Sequence, residues 1–394
     1  MIKYLFKLDT ILATISVFLM MGLLALIPVN THVLDPFKLA LQDFDFNDLA
    51  YSRLGKNQNA PLDTGIVIVN IGDAKRSEIA NLVEKLTDNQ PLVIGVDVLF
   101  NEKRDAVGDS LLSLTFSKNK KVVMAYNLQS QTEDRLKPNG YFYDISQDKG
   151  YTNFISEEKG VIRFVSPAIK NNGKEYLSFS SAIIKQANPS IYSKHLEGVD
   201  EPQLINYLHS AKKYIVLNGK EILSGNINYQ QLKEKIVLVG YVSANENDIE
   251  DKHFTPMNSN FTGKSLPDMN GVFIHANIIR MSLDGKSVIK TPSLLNWLIA
   301  LILVWLHMAF FIKFYIETHL WFHLAAKIAQ ILSAVFFVYL GLMFYSSYNT
   351  KINMTAALAG IILAVDVLYF YEAFATWLNK RFGYKTIFHH GHHH

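Results

Sequence analysis

Apolar positions along this chain fall into two regimes. Four runs reach the roughly 20 residues needed to cross a ~30 Å hydrocarbon core. They are Thr10–Val29, Leu294–Ile312, about Ala325–Tyr345 and about Ile352–Trp377. Between the first and second runs the pattern changes to short apolar segments of strand length alternating with amphipathic ones. Gly65–Ile71, Leu92–Leu99 and Lys121–Tyr126 read as buried strands, and Lys235–Gly240 as another. Ile79, Leu82, Val83 and Leu86 are spaced for a helix over Ala74–Thr87, and further helices are expected at Asp109–Ser117, Ser178–Gln186 and Val272–Leu283. Strand and helix alternating in this order predict an α/β domain with a mostly parallel sheet and flanking helices, plus four transmembrane helices. The stretch 127–220 reads as polar and largely irregular.

Basic residues orient the spans. Lys3 and Lys7 precede the first, Lys313 and Lys327 lie between the second and third, and Lys380, Arg381 and Lys385 follow the fourth. By the positive-inside rule these ends are cytoplasmic and the large domain is exported, with Lys351 the exception. The first run exceeds the ~7–15 residues of a signal-peptide core, and Ala25-Leu26-Ile27 is a poor cleavage site, so it reads as a retained anchor. The expected divisions are 1–29 for the anchor helix, 30–290 for the exported domain, 291–378 for three spans and 379–394 for a short cytoplasmic tail.

Several short motifs occur in one order: IVIVNIGDA at 66–74, PLVIGVDVLF at 91–100, EKIVLVGYV at 234–242, Thr255-Pro256, and GVFIHANII at 271–279. Together they resemble the CHASE type-2 (CHASE2) domain, an extracytoplasmic sensory module of bacterial signalling proteins. The resemblance extends to one span before the domain and three after it. It implies a multi-pass protein of the bacterial inner (cytoplasmic) membrane, with its domain in the periplasm or exterior and both termini cytoplasmic. Relatives commonly carry a cytoplasmic kinase or nucleotide cyclase after the last span. Only about Leu378–His394 follows here, so any output is expected to pass through a partner protein.

Composition narrows the chemistry. The 394 residues contain no cysteine, which excludes disulfides, thiol catalysis and cysteine-bound metal. A formal net charge of +3 gives no reason to expect a nucleic-acid partner. The expected partners are the lipid bilayer and other membrane or envelope proteins, with a homo-oligomer also compatible. No cofactor is implied.

Candidate binding residues are Asp73, Asp97, Asp248, His275 and Asn277. Asp73 follows the first strand, where parallel sheets place ligand crevices, and Asp97 sits in an apolar strand where an unpaired carboxylate is costly. Asp248, Glu250 and Asp251 follow the strand at 235–240 and can converge on the same edge, as a small-ligand or hard-cation site. The competing reading makes Asp73 a helix cap, Asp97 part of a buried hydrogen-bond network, and His275 and Asn277 packing or capping groups. In the fourth span Asp366 is the residue of interest, paired with a neighbour such as His307 or Tyr339 or serving a proton or ion path, while Glu372 lies nearer the interface.

Three other patterns carry little. Gly263-Lys264-Ser265 and Gly285-Lys286-Ser287 end like a phosphate loop, but Asn258 and Arg280 stand where its first glycine belongs. His319 and His323 are one turn apart without the glutamate of a zinc protease, and the terminal HHGHHH carries no functional weight. No Gly-x-Ser-x-Gly elbow occurs. The reading that follows is a non-enzymatic membrane sensor or interaction subunit, and the alternative is a scaffold or ion-coupled subunit of a larger transport or secretion complex that uses Asp366.

Overall fold

The computed structural model describes residues 1–26, 47–57, 59–132, 135–156, 160–226, 229–245, 247–258 and 266–388. The chain divides into two compact units, one of Met1–Lys38 with Ile289–His394 and one of Leu39–Val288. After one helical turn at Ile2–Leu5, the membrane unit enters α1 (Leu8–Ala25). Residues 27–29 of the expected first span lie outside the described residues.

The second unit is built on a parallel core. It runs β1 (Asp63–Asn70), α2 (Arg76–Asp88), β2 (Val93–Asp97), α3 (Ala106–Lys118) and β3 (Val122–Thr132). β4 (Arg135–Asn139) and β5 (Asp148–Tyr151) flank β3, and β11 (Tyr214–Asn218) and β12 (Ile236–Gly240) complete a sheet in the order β11-β1-β12-β2-β3-β4, with β5 on β3. All its pairings are parallel except β3 with β4. Burial on both faces is why β1, β2 and β12 read as unbroken apolar runs. Ile66, Val67, Ile68 and Val69 have no exposed surface at all.

One face of the sheet packs on α2 and α3. Ile79, Leu82, Val83 and Leu86 of α2 join Leu112 and Phe116 of α3 in this core. The buried Arg76–Asp109 ion pair ties the two helices together. α2 begins two residues later than expected, because the Glu78 carboxylate accepts the Lys75 N–H at 2.7 Å and sets the cap there. The other face receives α4 (Phe179–Ala187) and α5 (Gly271–Leu283). α4 comes so close that a Cβ on Gly95 of β2 would lie 2.5 Å from Ile183 Cδ1.

The stretch 127–220 is more ordered than its composition predicts. It holds β6 (Ile155–Ser156), β7 (Ile162–Val165), β8 (Ala168–Asn171), β9 (Lys174–Leu177) and β10 (Gln203–Leu204) besides β4, β5 and α4. Strands of two to five residues are too short to show a hydrophobic period. They are held by side chains instead, such as Tyr151 Oη donating to the Ser166 carbonyl at 2.6 Å and Tyr207 Oη to that of Ile162 at 2.7 Å. β8 and β9 form a hairpin whose turn, Asn172-Gly173, takes positive φ at both residues, the geometry that favours this dipeptide.

The membrane unit continues with α6 (Ser293–Glu317), α7 (Phe322–Tyr348) and α8 (Thr355–Phe382). Among the described residues, these and α1 are four helices long and apolar enough to cross a membrane. Gly360 lets α8 approach α6, since a Cβ there would meet Val304 Cγ2 at 2.5 Å. Asp9, just ahead of the expected first span, is buried at the start of α1 and accepts four donors: Tyr371 Oη, Tyr384 Oη, Thr386 Oγ1 and the Ile387 N–H, at 2.8 to 3.3 Å.

Candidate functional site

The C-terminal ends of the central strands meet at one level. Asn70 of β1 pairs in register with Gly240 of β12, which pairs with Asp97 of β2. Ligand crevices of open parallel sheets form outside this edge. Here lies a cavity of about 570 Å³, lined by these strand ends, by 152–154 and by the segment 250–253 before α5.

The loop after β12 is fixed by polar side chains. Asn70 Oδ1 accepts the N–H groups of Gly72 and Val242 at 2.9 and 3.0 Å. Asp248 accepts Tyr241 Oη at 2.7 Å and the backbone N–H groups of Ala244 and Glu250 at 3.2 and 3.1 Å. These bonds, Tyr241 foremost, hold its carboxyl below the usual range. Asp248 therefore shapes the loop and does not itself line the cavity. The loop leads to β13 (Lys252–His253), which pairs with β14 (Met269–Asn270). Asn270, the cap residue of α5, accepts Ser243 Oγ at 2.8 Å and donates to the Glu250 carbonyl at 3.1 Å. In the Thr255-Pro256 motif the threonine gives Asp268 two bonds, from its N–H at 2.8 Å and its Oγ1 at 2.5 Å.

Asp97 and His275 line the cavity with Glu250, Asp251 and His253. Asp97 ends β2, half-buried, and no described residue donates a hydrogen bond to its carboxylate. Burial first, and the Asp251 charge second, push its pKa up to about 8. Asp251, at the exposed rim, is pushed up to about 6 by desolvation, against a hydrogen bond from the Gly271 backbone. His275 is buried on α5; its Nδ1 lies 3.0 Å from Ser180 Oγ on α4, and burial drives its pKa down to about 3. Its ring stacks on Phe154, which also meets His253 near-perpendicular with ring centroids 5.2 Å apart. Among the described residues no group of three or more His, Asp or Glu is arranged to hold a metal ion.

The other sequence candidates lie elsewhere. Asp73 is exposed, outside the cavity lining, in an ion pair with Lys220 at 2.7 Å; it does not cap α2. Asn277 is fully buried and structural, since its Oδ1 accepts the His209 N–H at 2.9 Å and its Nδ2 donates to the His209 carbonyl at 3.0 Å. Asp366 lies on the exposed face of α8 and meets neither His307 nor Tyr339. His307 bonds Ser333 Oγ at 2.7 Å instead, and Glu372 accepts Tyr315 Oη at 2.5 Å. The triplet at 263–265 and the terminal histidines lie outside the described residues, as does the side chain of His319. Sequence reasoning missed Asn127, Phe154 and His253 in the lining. Asn127 lies on the third parallel strand, so the rule that selected Asp73 reaches it too; Phe154 and His253 carry no comparable signal.

Four helices long and apolar enough to cross a membrane, together with a parallel α/β domain, mark a multi-pass membrane protein. The CHASE2 domain family matches residues 16–312, more than half of the chain, and the chain belongs to that family. CHASE2 is a sensory extracytoplasmic domain. No curated protein and no solved structure gives a significant match.

Proposed function

We propose that this chain is a non-enzymatic receptor of the bacterial cytoplasmic membrane. Its CHASE2 domain faces the periplasm or exterior, takes a small molecule into the cavity at the ends of β1, β2 and β12, and signals through a partner protein. The observation that supports this reading is Asp97, a carboxylate in that cavity with no hydrogen-bond donor among the described residues. A carboxylate held this way is costly to keep, which a binding role explains and a packing role does not. The orientation, with both termini cytoplasmic, rests on the lysines and arginines beside the spans.

The native chain has no cysteine, so single-cysteine labelling has no background. Lys174→Cys is expected to react in intact cells with a membrane-impermeant maleimide, and Lys385→Cys only after lysis. The reverse pattern would overturn the orientation.

A second reading, a scaffold or ion-coupled subunit of a larger membrane complex, is favoured by one observation. Asp366 lies about 16 Å along α8 from Thr355, near mid-bilayer, on an exposed face with Ile362 and Phe370. A carboxylate there costs about 2.5–3.5 kcal/mol on insertion scales unless another polar group meets it. A helix of a partner supplies such a group.

A further inference from the structure

We infer that the cavity takes a ligand in which a protonated amine sits beside a flat apolar group. This rests on the cavity being the ligand site, and deepens that reading by naming the ligand chemistry.

The first argument is the contrast between Asp97 and the other carboxylates of its domain. Asp48, Asp63 and Asp109 are buried, and each meets an arginine: Arg163, Arg280 and Arg76. Asp97 meets none, and among the described residues lining the cavity there is no lysine or arginine. The charged groups around it are Glu250 and Asp251, both acidic. His253 and His275 are held neutral by burial, and the Tyr241 phenol by its bond to Asp248 together with burial. Among the described residues, the site thus has negative charge to offer and no cation.

The second argument is independent of the acids. His275 is 3% exposed and lines the cavity, yet only its Nδ1 is engaged. Its other ring nitrogen has no partner among the described residues. A ring nitrogen without a protein partner in the cavity wall is available to a ligand group or water. The Phe154 ring, stacked on His275 at 4.7 Å and 29°, also lines the cavity and gives it an aromatic wall against which a flat apolar group can pack. A divalent cation is disfavoured because the described carboxylates and imidazoles are not clustered as ligands.

Bringing an ammonium to Asp97 favours its ionised form, so binding releases the proton that the empty site holds. Calorimetry of the full chain in nanodiscs at pH 7, with phenethylammonium as the probe, reads both events. Saturable binding is expected, with a heat that depends on buffer ionisation enthalpy in proportion to about one proton released. Asp97→Asn should weaken binding by at least about tenfold and abolish the buffer dependence, while the neutral 2-phenylethanol and the anionic 3-phenylpropionate bind at least about tenfold more weakly than the amine. Equal or tighter binding of either analogue, lost on Asp97→Asn, overturns the amine class and leaves the cavity standing. Binding of the amine that is unchanged in Asp97→Asn and in the cavity-filling Thr152→Trp overturns the cavity itself. No amine binding at millimolar concentration overturns the inference.

Discussion

Asp97 and Asp251 line one cavity, and the charge on Asp251 adds to burial in keeping a proton on Asp97. Folded, Asp97 holds that proton up to about pH 8; unfolded, it releases it near about pH 4. Between those values the folded state binds more protons, so stability falls as pH rises. Asp97→Asn is expected to flatten this slope and to stabilise the domain above pH 8, by on the order of 2 kcal/mol. Hydrogen exchange of β2 and β12 in the full chain measures it. An unchanged slope would show that Asp97 titrates normally.

His275 gives the opposite limb. Its folded pKa is depressed to about 3, against about 6.5 unfolded. Between these values the unfolded state binds more protons, so stability falls as pH falls. His275→Gln should remove that acid-side loss, read by the same exchange measurement between pH 4 and 6.5. A variant with the wild-type acid limb would assign the loss to other groups, of which His253 is the nearest.

Arg280 on α5 grips Asp63, the first residue of β1, with Nε and Nη2 each at 2.6 Å. Removing the arginine leaves a nearly buried carboxylate without its cation. Arg280→Ala is expected to cost about 3–5 kcal/mol, and Arg280→Ala with Asp63→Asn substantially less. Denaturant unfolding of both variants tests this; equal losses would contradict it.

Gly95 sits beneath α4 with no room for a methyl group, since Ile183, Leu238 and Phe179 atoms lie 2.5 to 2.9 Å from where its Cβ would be. Gly95→Ala should destabilise the domain by about 1–3 kcal/mol. The same unfolding experiment reads it, and a neutral effect would mean that α4 shifts freely.

The parallel core was legible because a strand buried on both faces must be apolar throughout, as Ile66–Val69 and Ile236–Val239 are. The resemblance of the short motifs led to the family. The strands between β3 and α4 were not legible, because their order comes from side-chain bonds such as those of Tyr151 and Tyr207. The candidate cavity was legible in part. Asp97 stood out as a polar residue in an apolar run, whereas Asp248 and Asn277 proved to be structural because the backbone groups they satisfy lie on segments distant in sequence or on irregular loops. Asp9 escaped notice because it lies one residue before the apolar run it anchors.

Asp366 supplies the test of the second reading. If a partner helix meets its carboxylate, Asp366→Leu should dissociate the complex recovered in mild detergent, while Asp73→Ala, on the exposed surface of the other unit, should not. Size-exclusion chromatography with mass determination checks this. Identical masses for Asp366→Leu and wild type would leave the carboxylate facing lipid.

The central claim is that the sensory domain reads its signal in the Asp97 cavity. The most direct measurement is a small-molecule thermal-shift screen on the full chain in nanodiscs, repeated on Asp97→Leu and Asp73→Ala. Compounds that stabilise the wild type should lose their effect on Asp97→Leu and keep it on Asp73→Ala. Ligands that stabilise Asp97→Leu as strongly as the wild type would contradict the account.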